Sequence, residues 1–195
     1  AAVAGAAEHT GAFTLPVGSK DSALLVQLNP GSYTAIARDD ANPDGVTLAE
    51  IYDVDGVDST TPSIVNLSVR ASVETGDSIV IAGFVIQGNS PKRVLVRAVG
   101  PTLASLGLNP GTVLTDPMLR IVKDSATLLT NDNWSDAPNA TAASAAASEA
   151  GAFGLPVGSK DAMILTVLAP GVYTAEVRGI GGTTGIALVE VYQLP

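Results

Sequence analysis

Few side chains of this 195-residue chain could carry acid–base or nucleophilic chemistry. It contains one histidine, His9, and no cysteine. A Ser-His-Asp triad or a multi-histidine metal site would therefore depend on His9, and a thiol nucleophile is excluded. Because His9 lies beside an Ala-rich stretch, a solvent-facing helical position is favoured over a catalytic one. We expect no enzymatic activity.

Oxygen ligands are more abundant, and they gather in three acidic clusters. Ca²⁺ binds carboxylate and carbonyl oxygens, so the clusters at 53–58 and 131–136 are weak calcium candidates. The alternative is that Asp and Asn form turns there. The cluster at 39–44 loses its acids in the repeat described below, which argues against a metal site in every copy. The candidate carboxylates are Asp53, Asp55, Asp58, Asp132 and Asp136; we expect no other cofactor or metal.

Charged residues also interrupt apolar strands. Arg97 lies in the apolar run 94–99, while Glu50 and Glu190 occupy equivalent positions in two other apolar segments. Buried charges need partners. The pattern predicts an Arg97–Glu190 pair or an arginine–carboxylate contact across a subunit boundary, the alternative being that both side chains reach solvent at strand ends.

An internal repeat at an offset of 140 is the most specific pattern in the chain. Residues 11–21 read GAFTLPVGSKD and residues 151–161 read GAFGLPVGSKD, and half of the positions from 11 to 54 match their counterparts. We therefore predict a partial repeat over 1–58 and a complete repeat over 59–195. A partial sheet leaves backbone groups unpaired and an apolar face bare. Another segment must complete it.

Short runs of Val, Ile, Leu and Thr bounded by turn residues predict strands. The Ala-rich segments 140–150 and 1–8 predict equivalent short helices, and 101–108 predicts a helical turn. The whole predicts an all-β fold, a β-sandwich or jelly-roll-like unit with a short Ala-rich helix and a partial second copy. The predicted strands are 23–28, 32–38, 46–54, 64–73, 78–87, 93–99, 118–123, 127–131, 163–168, 172–178 and 186–194.

Composition excludes two classes of partner. The net charge is -9 and no Lys/Arg cluster occurs, so a nucleic-acid backbone would meet few cations. The apolar runs are too short for a transmembrane helix. Because mean hydropathy is nevertheless positive, at +0.34, we expect apolar surface to be buried between chains.

Several stretches resemble known modules. Residues 92–103 (KRVLVRAVGPTL), 116–120 (DPMLR), 131–134 (NDNW) and 182–192 look like a repeat of large secreted proteins of environmental bacteria. The LRIVK and NDNW stretches, followed by PGVYTAEV, are similar to pre-peptidase C-terminal-type β-sandwich domains. This resemblance implies an extracellular, non-catalytic accessory module.

We therefore expect a structural subunit of an extracellular filament or surface assembly. It would polymerise head-to-tail with copies of itself by β-strand complementation, because such a contact does not close. The alternative is an adhesin-type module that binds carbohydrate or protein, and three sequons, at Asn66, Asn133 and Asn139, allow a glycan. The residues expected at interfaces or in structural roles are Arg97, Glu190, Glu50, Tyr33, Tyr173 and Trp134.

Overall fold

The computed structural model describes residues 2–37, 46–54 and 63–195. The chain divides into two compact units, 1–64 and 65–195. The predicted boundary between residues 58 and 59 lies outside the described residues.

The second unit is a sandwich of two four-stranded antiparallel sheets, so the all-β prediction is confirmed. One sheet has the order β1-β8-β3-β6 and the other the order β2-β7-β4-β5. All eight strands predicted for this region are present. They are β1 (Asn66–Val73), β2 (Val80–Ile86), β3 (Lys92–Val99), β4 (Pro117–Lys123), β5 (Ala126–Asn131), β6 (Ala162–Leu168), β7 (Gly171–Gly179) and β8 (Gly185–Gln193).

The central strand β3 is buried on both faces. Val94, Val96 and Ala98 point into the core between the sheets, where they meet residues of both. The intervening side chains, Leu95 and Arg97, are also fully buried, although they point to the outer face. Alternate residues of a strand face opposite ways, so a second layer must cover that outer face.

That layer begins with the Ala-rich helix α3 (Ala140–Glu149), as predicted; the other helical segments are α1 (Ala2–Thr10) and α2 (Thr102–Ser105). Ala143, Ala146 and Ala147 of α3 are buried against Leu95 and Met163 of the first sheet. Small side chains let the helix lie close to the strands. We call β1–β5 (66–131) the front half of the repeat, and α3 with β6–β8 (140–194) the back half.

The described residues of the first unit hold the helix of a second back half but none of its strands. The helix α1 corresponds to α3, and each is followed within two residues by a glycine with positive φ, Gly11 at 76° and Gly151 at 75°. The described residues 11–37 and 46–54 contain no strand, so the strands predicted at 23–28, 32–38 and 46–54 are wrong for this chain alone, position 38 lying outside the description.

The missing partners explain this difference. In the complete repeat, β6, β7 and β8 pair only with front-half strands: β6 with β3, β7 with β2 and β4, and β8 with β1 and β3. A strand is held by hydrogen bonds to its neighbours, and the sequence contains a single front half. The same residues therefore form strands in one copy and not in the other.

Candidate functional site

The complete repeat buries an ion pair on the outer face of its first sheet. Arg97 is 0% exposed and lies directly across from Glu190 in the β3–β8 register. Its Nε donates to Oε2 of Glu190 at 2.7 Å, and its Nη2 donates to the same oxygen. Its Nη1 donates to the carbonyl of Phe153 at 2.6 Å, and its Cζ lies 4.2 Å from the Phe153 ring centroid. Of the predicted alternatives, the structure shows the pair within the chain.

Tyr192 satisfies the other carboxylate oxygen. Its hydroxyl donates to Oε1 of Glu190 at 2.7 Å. Burial, and then the Glu190 carboxylate, raise the pKa of Tyr192 above its ordinary value of 10.0, while Arg97 opposes this less strongly. Both oxygens of Glu190 and all three guanidinium nitrogens of Arg97 are thus partnered. This cluster fixes the back half onto β3.

The raised pKa of Tyr192 predicts an alkaline loss of stability. Above about pH 10 the unfolded chain loses the tyrosine proton while the folded repeat keeps it, so the free energy of unfolding falls as pH rises. The contribution is fully present below pH 10 and declines by on the order of 1 kcal/mol per pH unit above it. Urea midpoints from Trp134 fluorescence at pH 9 to 11 should fall less steeply in Tyr192→Phe. An equal slope would contradict the assignment.

A second polar contact fixes the turn after β3. Asp161 is 0% exposed, and its Oδ1 accepts from the backbone N–H of Gly100 at 2.8 Å and of Thr102 at 3.3 Å. Its Oδ2 accepts from the Thr102 hydroxyl. Gly100 is needed there because a Cβ would lie 2.1 Å from the carbonyl oxygen of Leu114.

The neighbouring lysine makes an ion pair with the front half. Lys160 Nζ contacts Asp116 Oδ2. The sequence pattern alone indicates neither an ion pair of Lys160 nor a hydrogen-bonding role for Asp161, because the VGSKD segment resembles an ordinary loop. The signal was the survival of VGSKD in both copies, at residues 17–21 and 157–161.

The first unit keeps the back-half members of all three contacts. By subtraction of 140, the equivalents of Phe153, Lys160, Asp161, Glu190 and Tyr192 are Phe13, Lys20, Asp21, Glu50 and Tyr52. All five are exposed. Their partners in the complete repeat, Arg97, the Gly100–Thr102 turn and Asp116, lie in a segment that occurs once in the sequence.

The polar groups of the first unit accordingly lack these partners. Tyr52 donates to Oε1 of Glu50 at 3.1 Å, as Tyr192 does to Glu190. Lys20 and Asp21 form no hydrogen bond or ion pair within residues 2–37 and 46–54. Contacts inside the back half therefore form in both copies, whereas contacts to the front half form in one.

Apolar side chains show the same contrast. Ile164 is 7% exposed and its equivalent Leu24 is 89% exposed; Tyr173 is 3% exposed and its equivalent Tyr33 is 58% exposed. Both tyrosines donate to the carbonyl four residues earlier at 2.8 Å, so their local structure is alike. Tyr173 in addition stacks on a front-half ring, that of Phe84, at 5.6 Å between centroids. Other exposed apolar residues of the first unit include Leu25, Val26, Leu28, Ile36, Val46, Leu48 and Ile51.

Trp134 is a core residue. It is 5% exposed, and its Nε1 donates to the Pro156 carbonyl and the Ser159 hydroxyl at 3.1 and 3.2 Å. A buried ring provides no stacking platform for a sugar. Two sequon amides are also engaged, since Asn66 and Asn139 donate to the carbonyls of Val191 and Leu165.

The described calcium candidates, Asp53, Asp132 and Asp136, belong to no cluster of three or more metal-ligating side chains among the described residues. Asp136 is the last residue of the short 3₁₀ helix Trp134–Asp136, and Asp132 lies two residues before that helix. Oδ2 of Asp53 lies 3.4 Å from the backbone N–H of Ile64, which donates to it. Asp55, Asp58 and the 39–44 cluster lie outside the described residues.

Comparison with known proteins gives one likeness of fold. No protein-family model matches the chain, and no curated protein matches it. Among solved structures it is similar to the pre-peptidase C-terminal domain of collagenase from Bacillus anthracis, with 10% identity and a TM-score of 0.36. The match covers 67% of this chain and 90% of that domain. None of the helices in the described part of the chain could cross a membrane.

Proposed function

We propose that this protein is a structural subunit of an extracellular bacterial filament or surface assembly, in which subunits polymerise by β-strand complementation between the partial repeat of one chain and an open strand edge of the next. The site is the back-half surface formed by residues 11–37 and 46–54. The extracellular assignment is supported by the resemblance of residues 92–103 and 131–134 to repeats of secreted proteins.

One observation carries the proposal: residues that are buried in the complete repeat have exposed equivalents in the partial copy. In the complete repeat they form three strands of the sandwich. In the first unit they expose at least eight large apolar side chains and the backbone groups that the strands would use. Burying one such side chain contributes about 1.5–3 kcal/mol. Addition of a strand would bury these apolar side chains and provide hydrogen-bond partners for these backbone groups.

The complete repeat offers open strand edges for such a contact. β2 is an edge strand without a charged residue, and Ile81 and Val85 on it are 55% and 59% exposed. Uncharged apolar edges accept further strands readily. The edge strand β6 is better protected, because Asn131 accepts from the Met163 N–H and Asn139 donates to the Leu165 carbonyl. When the first unit of one chain joins the second unit of the next, the contact is head-to-tail and gives an open filament instead of a closed oligomer.

Size-exclusion chromatography with light scattering, followed by electron microscopy, tests the proposal on the full chain. We expect oligomers that grow with concentration and become filaments. Leu24→Lys should reduce assembly, because it places a charge on the exposed apolar surface of the first unit. Leu106→Lys, at a residue 53% exposed on the complete repeat, is the matched control and should assemble normally. A monodisperse monomer at high concentration would overturn the proposal.

A further inference from the structure

We infer that the segment completing the first unit is a β3-type strand that carries an arginine facing Glu50 and continues into a Gly-Pro-Thr turn. This inference rests on the proposed function and specifies the chemistry of the partner. In this chain, residues 92–103 are a strand of that type.

The register defines where the strand would lie. In the complete repeat β3 is inserted between β6 and β8, with Arg97 opposite Met163 on one side and Glu190 on the other. Subtracting 140 places the arginine of an incoming copy between Ala23 and Glu50. The incoming strand thus supplies hydrogen bonds to two separate segments at once. Neither segment can form this part of the sheet without it.

Charge selects the residue at the centre of that strand. The first unit holds Glu50, Tyr52 and Phe13, which in the complete repeat are the carboxylate, the hydroxyl and the ring surrounding Arg97. Burying Glu50 under an apolar strand would leave its carboxylate without a cation, at a high desolvation cost. An arginine on the strand supplies donors in the geometry that Glu190 already accepts.

The turn after the strand provides a second determinant. Asp21 is equivalent to Asp161, which accepts from the backbone N–H groups of Gly100 and Thr102. Lys20 is equivalent to Lys160, which contacts Asp116. The front-half partners of the three contacts, Arg97, the Gly100–Thr102 turn and Asp116, thus all lie within residues 97–116. A partner segment that must supply all of these polar groups is therefore selected more strictly than one that only has to be apolar.

The chain's own front half is already paired with residues 140–194. Exchanging it between two identical chains would complete one back half and expose another, so exchange yields no net burial. The arginine strand must therefore come from a front half that is free. A chain without that partner can assemble only by addition to open edges.

A labelled peptide of residues 92–103 tests this by fluorescence anisotropy against the full chain. We expect saturable binding that weakens at least tenfold when the peptide carries Arg97→Leu. The protein variant Glu50→Gln should weaken binding of the native peptide at least tenfold but change binding of the Arg97→Leu peptide less than twofold. Glu8→Gln is the matched control, since it removes the same charge from α1. We also expect the native peptide to block self-assembly.

The outcomes separate this inference from the proposed function. Absence of binding at millimolar peptide, or equal binding of both peptides, overturns the inference even if the chain forms filaments. Equal weakening by Glu8→Gln and Glu50→Gln would show general attraction to an acidic protein and would also overturn it. Binding that depends on Glu50, in a chain that stays monomeric, supports the inference and overturns self-polymerisation.

Discussion

Replacing Glu190 with alanine is expected to lower the free energy of unfolding of the complete repeat by about 3–5 kcal/mol. The guanidinium of Arg97 would stay fully buried with the Phe153 carbonyl as its remaining acceptor. The Tyr192 hydroxyl would also lose its partner. Urea unfolding monitored by Trp134 measures the loss, because Trp134 is the single tryptophan and is buried in this unit.

The partial copy provides the control. Glu50→Ala removes the same side chain from the same local sequence, but Glu50 is exposed and its described hydrogen bond is with Tyr52. We expect a change within about 0.5 kcal/mol. Arg97→Met combined with Glu190→Leu should recover most of the stability, because apolar replacement of a buried pair is often nearly neutral. Equal losses from Glu190→Ala and Glu50→Ala would contradict this account.

The sequence predicts the complete repeat well because local pattern and long-range pairing agree there. The apolar runs of β3 and β8 predict strands, and the charge within each predicts a cross-strand pair. In the partial copy the same local pattern gives the wrong secondary structure. A helix makes its backbone hydrogen bonds within its own segment, whereas a strand needs a neighbouring strand, so residues 2–10 are helical while residues 23–28 form no strand.

Other contacts could not be predicted from pattern. The role of Asp161 depends on the backbone N–H groups of Gly100 and Thr102, 61 and 59 residues away in sequence, and no side-chain pattern marks them. Phe153 contributes its carbonyl to Arg97, and any residue type has a carbonyl. The sequence leaves open whether Trp134 has an interface or a structural role, and in the structure its ring is buried within its own unit.

Asp161→Ala is expected to destabilise the complete repeat by about 3 kcal/mol, since each buried donor left unsatisfied costs about 1–3 kcal/mol. Two backbone N–H groups and the Thr102 hydroxyl would lose their acceptor at a position with no access to solvent. Thr102→Val removes only the hydroxyl and should cost about 1 kcal/mol. Asp21→Ala, the equivalent change in the partial copy, should cost almost nothing until an arginine strand with its Gly-Pro-Thr turn is bound. Urea midpoints of the three variants, with and without the 92–103 peptide, measure these differences. Suppose that Asp21→Ala leaves peptide affinity unchanged while Asp161→Ala unfolds the complete repeat. The two copies would then share the contact to the arginine strand but not the contact to the turn that follows it.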